Sequence, residues 1–269
     1  MKVWKNTKTL DALLPELSYS EEMSLAEFAI IGSKPIPLSE FPCLKGLFKC
    51  GVGVDNVPFE EAEERGVKVF LPSDITREII YTETAHFTCH LILKMLLRGV
   101  GNLETWTKTP RRALGSNRLL VIGNGNIGRK VAAAMEPFVE VDTYDVLNNA
   151  REELEGKVRY ANIVSLHLPL TEETRSFMDD EKLSWMQDGT ILINTARGPI
   201  VDEGALLREV SNGRLKAAFD VFWQEPYQGA LCSYHPHDFY MTPHISSNST
   251  DFLDGLAVDC RAAMKLLTN

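Results

Sequence analysis

Three residues in the second half of this chain are of types that together perform hydride and proton chemistry. Arg197 sits in Asn194-Thr195-Ala196-Arg197-Gly198-Pro199-Ile200-Val201-Asp202, directly after the apolar run Thr190 to Ile193; Glu225-Pro226 and Pro243-His244 follow. That run reads as a buried strand, so Arg197 falls just past a strand's carboxyl end, where open α/β sheets bind ligands. A guanidinium pairs bidentately with a carboxylate and polarises a neighbouring carbonyl. Hydride addition to a ketone leaves an alkoxide that needs a proton, and histidine is the usual donor near neutral pH. A carboxylate beside that histidine orients it and favours its protonated form. Spacing alone does not assemble the three, and each taken singly also reads as structural.

The hydride carrier has its own signature. Gly123-Asn124-Gly125-Asn126-Ile127-Gly128 follows the apolar strand Leu119 to Ile122 and opens a helix, and Asp145 ends the next strand about twenty residues on. Gly123 allows the tight turn, Gly125 the approach of backbone to a pyrophosphate, and Gly128 the packing of helix on strand. The first N–H groups of the helix, around Asn126 and Ile127, hold the phosphates. Asp145 accepts the ribose hydroxyls and repels a 2′-phosphate, which favours NAD. In the first part of the chain, Cys50-Gly51-Val52-Gly53-Val54-Asp55-Asn56 is a turn whose successive N–H groups suit a carboxylate, and a plain strand-to-helix turn fits it equally.

The elements that must position these residues alternate. Strands are expected at Lys2–Trp4, Ala29–Gly32, Leu47–Cys50 and Val67–Phe70, with helices at Thr9–Leu17 and Pro58–Arg65, giving a small parallel-sheet lobe. A long helix, Glu83–Arg98, links it to a second series. That series has strands Leu119–Ile122, Glu140–Tyr144, Ile163–Leu166, Thr190–Ile193 and Ala217–Val221, and helices Ile127–Met135, Asp179–Met186 and Glu203–Asn212. Such alternation is a doubly wound sheet. The last helix, Asp251–Leu267, is expected to return to the first lobe.

At 269 residues the chain has room for two compact lobes. A net charge of −9 with no compensating basic stretch argues against nucleic-acid or anionic-membrane partners. No apolar run approaches a membrane span, and the start has no signal-peptide pattern. Five scattered cysteines without a CxxC read as reduced thiols in the cytoplasm. His86 and His90 have a metal-holding i, i+4 spacing, but no third ligand accompanies them, so they read as packing and no metal is expected.

Gly123 to Arg129, Ala161 to Thr171, Asn194 to Asp202, Asp220-Val221-Phe222 with Glu225-Pro226, and Pro243-His244 follow the order and spacing of the D-2-hydroxyacid dehydrogenases. The chain resembles that family from about Leu44 onward, nearest the phosphoglycerate dehydrogenase and hydroxypyruvate/glyoxylate reductase branch. The resemblance implies a Rossmann NAD-binding domain at 85–246 and a smaller, shortened flavodoxin-like substrate domain at 1–84 and 247–269. It also implies a substrate bound in the cleft between them and a homodimer whose intersubunit arm is 99–118. Carried over by position, Arg197 binds the substrate carboxylate and carbonyl, Glu225 pairs with the histidine, and His244 is the general acid/base. Val52 and Gly53 match backbone donors to substrate. Asp145, Pro169, Thr174, Thr195, Ala196 and Asp220 match cofactor contacts, Asp220 facing the nicotinamide carboxamide. The implied activity is NAD-dependent interconversion of a small 2-keto acid and its D-2-hydroxy acid. Alternatives on the same fold are a formate or phosphite dehydrogenase, which Glu225 disfavours, and a nicotinamide-sensing binding protein.

The departures concern the substrate. The region from Leu17 to Ala26 lacks a strand and helix that the family has. The family's strand-end arginine, which helps bind phosphorylated substrates, falls at Gly32, beside Lys34. Lys49-Cys50 replaces Arg-Ala, Arg77 stands at a common asparagine, and Ser246 occupies the position of a glycine after the histidine.

Overall fold

The computed structural model describes residues 1–99 and 101–268, and these divide into two compact units: residues 1–80 with 247–269, and residues 81–246. Val100, within the expected arm, and the terminal Asn269 lie outside the described residues.

The first unit is built on four parallel strands, β1 (Val3–Lys5), β2 (Phe28–Ile31), β3 (Gly46–Lys49) and β4 (Lys68–Phe70), in the order β1-β2-β3-β4. β2 and β3 are buried throughout, as parallel strands covered on both faces must be. Phe28 and Ile30 face a core shared with Phe252, Leu256 and Cys260 of the last helix. Ala29 and Ile31 face a second core with Ala62 of α1 (Phe59–Glu64). A flavodoxin-like sheet runs 2-1-3-4-5; here the outer strand beside β1 is reduced to a single parallel bridge, Val3 to Tyr19.

Two expectations fail in this region. Residues 9–17 form successive turns rather than a helix, with Leu14 N–H on Leu10 O (3.0 Å). Pro15, inside the expected helix, lacks the N–H the ladder needs. The linking helix begins nine residues earlier than its pattern suggests: α2 runs Asp74–Leu97, and the unit boundary falls within it, after Ile80.

The second unit is a six-stranded, all-parallel sheet. Its strands are β7 (Arg118–Ile122), β8 (Glu140–Tyr144), β9 (Ile163–Leu166), β10 (Ile191–Asn194), β11 (Lys216–Phe219) and β12 (Phe239–Met241), in the order β12-β11-β10-β9-β7-β8. Before it, β5 (Gly101–Asn102) and β6 (Thr107–Lys108) pair as a small antiparallel hairpin. The helices are α3 (Asn126–Met135), α4 (Glu153–Tyr160), α5 (Asp180–Trp185) and α6 (Glu203–Ser211), and α7 (Thr250–Thr268) closes the first unit. Alternate residues of each strand feed two cores. Leu120, Ile122, Val164, Leu166, Leu192 and Phe219 lie on one face, and Leu119, Val121, Ile163, Ile193 and Ala218 on the other. α3 buries Gly128, Val131, Ala132 and Met135, the helical i, i+3, i+4, i+7 stripe.

α4 and β12 carry too little apolar signal to be read from sequence: α4 buries only Leu154 and Val158, and β12 is three residues long. From β7 the chain passes to β8 on one side and then to β9 on the other, so the strand order reverses at β7/β9. Open α/β sheets bind ligands at such a reversal. Among the described residues, no helix is long and apolar enough to cross a membrane.

Candidate active site

The turn after β7 is built by backbone clearance. Gly123 has φ +93°, and a Cβ there would stand 2.6 Å from the carbonyl oxygen of His167, the first residue past β9. A Cβ on Gly128 would meet the carbonyl oxygen of Gly123 at 1.9 Å, so α3 rests directly on the turn. At Gly125, which caps α3, a Cβ would meet nothing within 4 Å, and no side chain caps the helix. The first N–H groups of α3, at Asn126 and Ile127, thus carry no side-chain cap, an arrangement that suits a phosphate. Asp145, at the end of β8, accepts from Asn124 N–H (2.8 Å) and Leu147 N–H (3.0 Å), which ties the acid to the turn. These residues suit a dinucleotide.

Along the same edge, β10 ends in Asn194, whose side chain receives Ala196 N–H (3.0 Å) and donates to Arg197 O (2.8 Å). That internal bracket shapes the loop presenting Arg197. Thr195 is buried and its hydroxyl lies 2.8 Å from that of Thr88 on α2. A Cβ on Gly198 would fall 2.1 Å from the carbonyl carbon of Phe222, so only glycine lets the arginine loop lie against the segment after β11. Trp223 Nε1–H to Val201 O (2.7 Å) and Tyr227 OH to Glu203 Oε1 (2.7 Å) fasten the two further.

Glu225 is carried on that fastened segment. It accepts Phe222 N–H (3.1 Å) and stands 2.9 Å from His244 Nδ1. Burial alone raises its carboxyl, but the hydrogen bond and charge of His244, the Phe222 N–H and the Arg197 guanidinium outweigh burial and hold it below the usual carboxylate value. Glu225 is thus paired with His244, the Arg197 guanidinium adds to the lowering of its carboxyl, and Arg197 donates Nη1–H to Ala196 O (2.8 Å). His244 has φ +54°. Asp220, just past β11 and without solvent exposure, accepts from Thr242 Oγ1 (2.6 Å), Ile245 N–H (2.9 Å) and Ser246 N–H (2.9 Å).

The remaining expected residues fall in loops. Thr174 donates its hydroxyl to Pro169 O (2.6 Å), closing the loop after β9. Val52 and Gly53 lie half-buried in the first unit, after Gly51, which has φ +136°. His86 faces Glu83 (3.8 Å) and the His90 ring packs 5.7 Å from Phe87. Four residues escaped the sequence reading: Thr88, His167, Gly198 and Thr242. His167 lies between Pro169 and the glycine turn, its Nε2 2.8 Å from Ser165 Oγ, and burial pushes its imidazole down to about 3, leaving it neutral. Gly198 had a visible signal, a glycine between the arginine and a proline; the partners of Thr88 and Thr242, Thr195 and Asp220, are remote in sequence.

The family model described as D-isomer specific 2-hydroxyacid dehydrogenase, NAD binding domain, matches residues 97–246. Similar proteins include a hydroxypyruvate reductase of Thermotoga maritima, 32% identical over 77% of this chain and 72% of its own. A glyoxylate reductase of Aeropyrum pernix is 32% identical over 78% of this chain and 69% of its own. Among solved structures, a D-lactate dehydrogenase of Aquifex aeolicus with NAD and lactic acid has a TM-score of 0.81 at 24% identity, covering 100% of this chain and 95% of that one, a likeness of fold.

Two outcomes follow from the site. Assigning Asp145 to the ribose predicts that NADH is preferred over NADPH and that Asp145→Ser narrows that preference by about ten-fold or more in kcat/KM by removing one repulsive charge; equal use of both coenzymes by the parent enzyme would refute the assignment. The Glu225 carboxyl, held low, stays ionised at neutral pH, and its contact with His244 is lost only as pH falls through that lowered value. Glu225→Gln removes the negative charge, so the alkaline limit of keto-acid reduction moves to lower pH. An unchanged pH profile would dissolve the pairing.

Proposed function

Because the chain belongs to the D-isomer specific 2-hydroxyacid dehydrogenases, NAD-dependent oxidoreductases that interconvert a 2-keto acid and its 2-hydroxy acid, we propose that Arg197, Glu225 and His244 perform that chemistry here on a small, unphosphorylated acid. The observation that carries the proposal is the pairing of His244 Nδ1 with Glu225 (2.9 Å), on the same sheet edge as the loop that presents Arg197. When bound by the β7–α3 turn and Asp145, a nicotinamide cofactor would supply the hydride as NADH or accept it as NAD⁺. Arg197 binds the substrate carboxylate and draws charge from the carbonyl. With Nδ1 of His244 engaged by Glu225, Nε2 is the atom that gives a proton to the nascent alkoxide in reduction, or takes it in oxidation. Val52 and Gly53 are assigned as backbone donors to the substrate, and the units 1–80 with 247–269 and 81–246 as the substrate and NAD-binding domains.

The restriction to unphosphorylated acids draws on the first unit. Gly32 offers no cation, and a Cβ there would already stand 2.9 Å from Thr7 Cβ. Lys49 is 2% exposed, and its ammonium donates to Gly32 O (2.5 Å) and Asn56 Oδ1 (2.8 Å). Arg77 pairs with Asp74. Lys49 and Arg77 are thus engaged by the protein itself, and the exposed Lys34 is left as a point charge without a bidentate fork.

We further propose a cytoplasmic homodimer joined through the 99–118 segment. Its hairpin leaves Leu103 77% and Trp106 81% exposed, an apolar tip that a second copy would cover.

The test is a panel of 2-keto acids followed by nicotinamide absorbance. Glyoxylate or hydroxypyruvate is turned over well, and phosphohydroxypyruvate poorly; the reverse ranking would sink the substrate assignment. His244→Ala lowers kcat by about a hundred- to ten-thousand-fold. Arg197→Ala lowers kcat and raises KM, because a carboxylate contact is lost with it. For the assembly, scattering mass in solution reports twice the chain mass, and a monomer at micromolar concentration would rule the dimer out.

A further inference from the structure

Asp220 receives its three donors from one short segment, and His244 lies inside that segment. Thr242 Oγ1 (2.6 Å) and Ile245 N–H (2.9 Å) reach Oδ1, and Ser246 N–H (2.9 Å) reaches Oδ2. Between them, His244 takes φ +54° and donates its own N–H to Thr242 O (3.0 Å). The left-handed region is unfavourable for a residue with a Cβ, and it persists where surrounding contacts over-determine it. Those contacts are visible here. Thr242 is anchored by its N–H on Phe219 O (3.0 Å), at the end of β11, and the far side of the turn is anchored on the carboxylate one residue later. Two of the three donors to Asp220 are main-chain groups that side-chain substitution does not remove. Thr242 is the side-chain member.

We propose that Thr242 is a positioning residue for proton transfer: its hydroxyl, donated to the buried Asp220 carboxylate, completes a clamp that fixes the His244 backbone and thereby holds the imidazole on Glu225. The proposal rests on the reading of His244 as the acid/base. A carboxylate offers about four acceptor sites, so three donors leave one for a further group, such as the carboxamide expected to face Asp220. Loss of the Thr242 donor therefore has two possible routes to activity, one through the histidine and one through cofactor affinity. The geometry favours the first, since Thr242 and His244 share a turn. Valine at 242 keeps the branched shape and removes the donor; serine keeps the donor and removes a methyl group.

The experiment compares Thr242→Val, Thr242→Ser, His244→Ala and the double variant Thr242→Val/His244→Ala in keto-acid reduction, with thermal unfolding as a check on each. Thr242→Val lowers kcat by about ten-fold, the scale of a sub-ångström misplacement of a catalytic group. The KM for NADH stays within about two-fold of the parent, and Thr242→Ser recovers kcat to within about two-fold. Added to His244→Ala, the valine substitution produces no further loss, because two residues acting through one group are not additive. The proposal is overturned by parental kcat in Thr242→Val, by a serine variant as slow as the valine one, or by the full loss recurring in the His244→Ala background. Should the valine variant fail to fold, Thr242→Ala serves in the same comparison. Undiminished turnover by His244→Ala itself would remove the premise that His244 transfers the proton, and the proposal with it.

Discussion

All six strands of the larger sheet run in the same direction, so the segment leaving each strand emerges on one edge. The ladder sets those ends side by side: Asn194 pairs with Phe219, and Phe219 with Met241. The residues immediately beyond, Thr195 to Arg197, Asp220 and Thr242 to His244, are neighbours for that reason, although dozens of residues separate them along the chain. Everything chemical in the second unit depends on this constraint. Burial of β7, β9, β10 and β11 on both faces opposes slippage, because a one-residue shift would exchange the side chains of the two cores.

The edge brings loops near one another, and small residues decide how near. Gly128 on the carbonyl of Gly123, Gly123 on that of His167, and Gly198 on that of Phe222 are three backbone approaches that a methyl group would obstruct. The first two form the floor of the dinucleotide turn and the third brings Arg197 toward Glu225. Polar contacts then set orientation. Asn194 brackets the arginine loop, Trp223 and Tyr227 fasten the glutamate segment, and Asp220 collects donors from around His244. Groups buried in this way are held rigidly, since each donor removed would leave a carboxylate or carbonyl without its partner in low dielectric.

The first unit lies outside the residues that the family model matches. An edge strand is reduced to the Val3–Tyr19 bridge, and Asn6, Gly32, Lys49 and Asn56 form a connected polar network at the carboxyl ends of the remaining strands. A buried ammonium requires such partners. The network turns the Lys49 ammonium inward, onto Gly32 O and Asn56 Oδ1.

The sequence by itself determined the alternation of buried strands and helices and the glycine turn with its acid, and it offered Arg197, Glu225 and His244 as candidates that spacing alone did not assemble. Those features are local: an apolar run, a glycine that clears a backbone, a charged residue at a strand end. It did not reveal α4, whose two buried residues are too few to mark a period, and it suggested a helix at 9–17 that Pro15 and the packing of Leu10 and Leu14 resolve as turns. Only the tertiary structure decided which residues hold the site together. Thr88 on Thr195, Gly198 on Phe222 and Thr242 on Asp220 are pairs separated by long stretches of chain. No local pattern specifies them, because their contact is a consequence of strand order in the sheet.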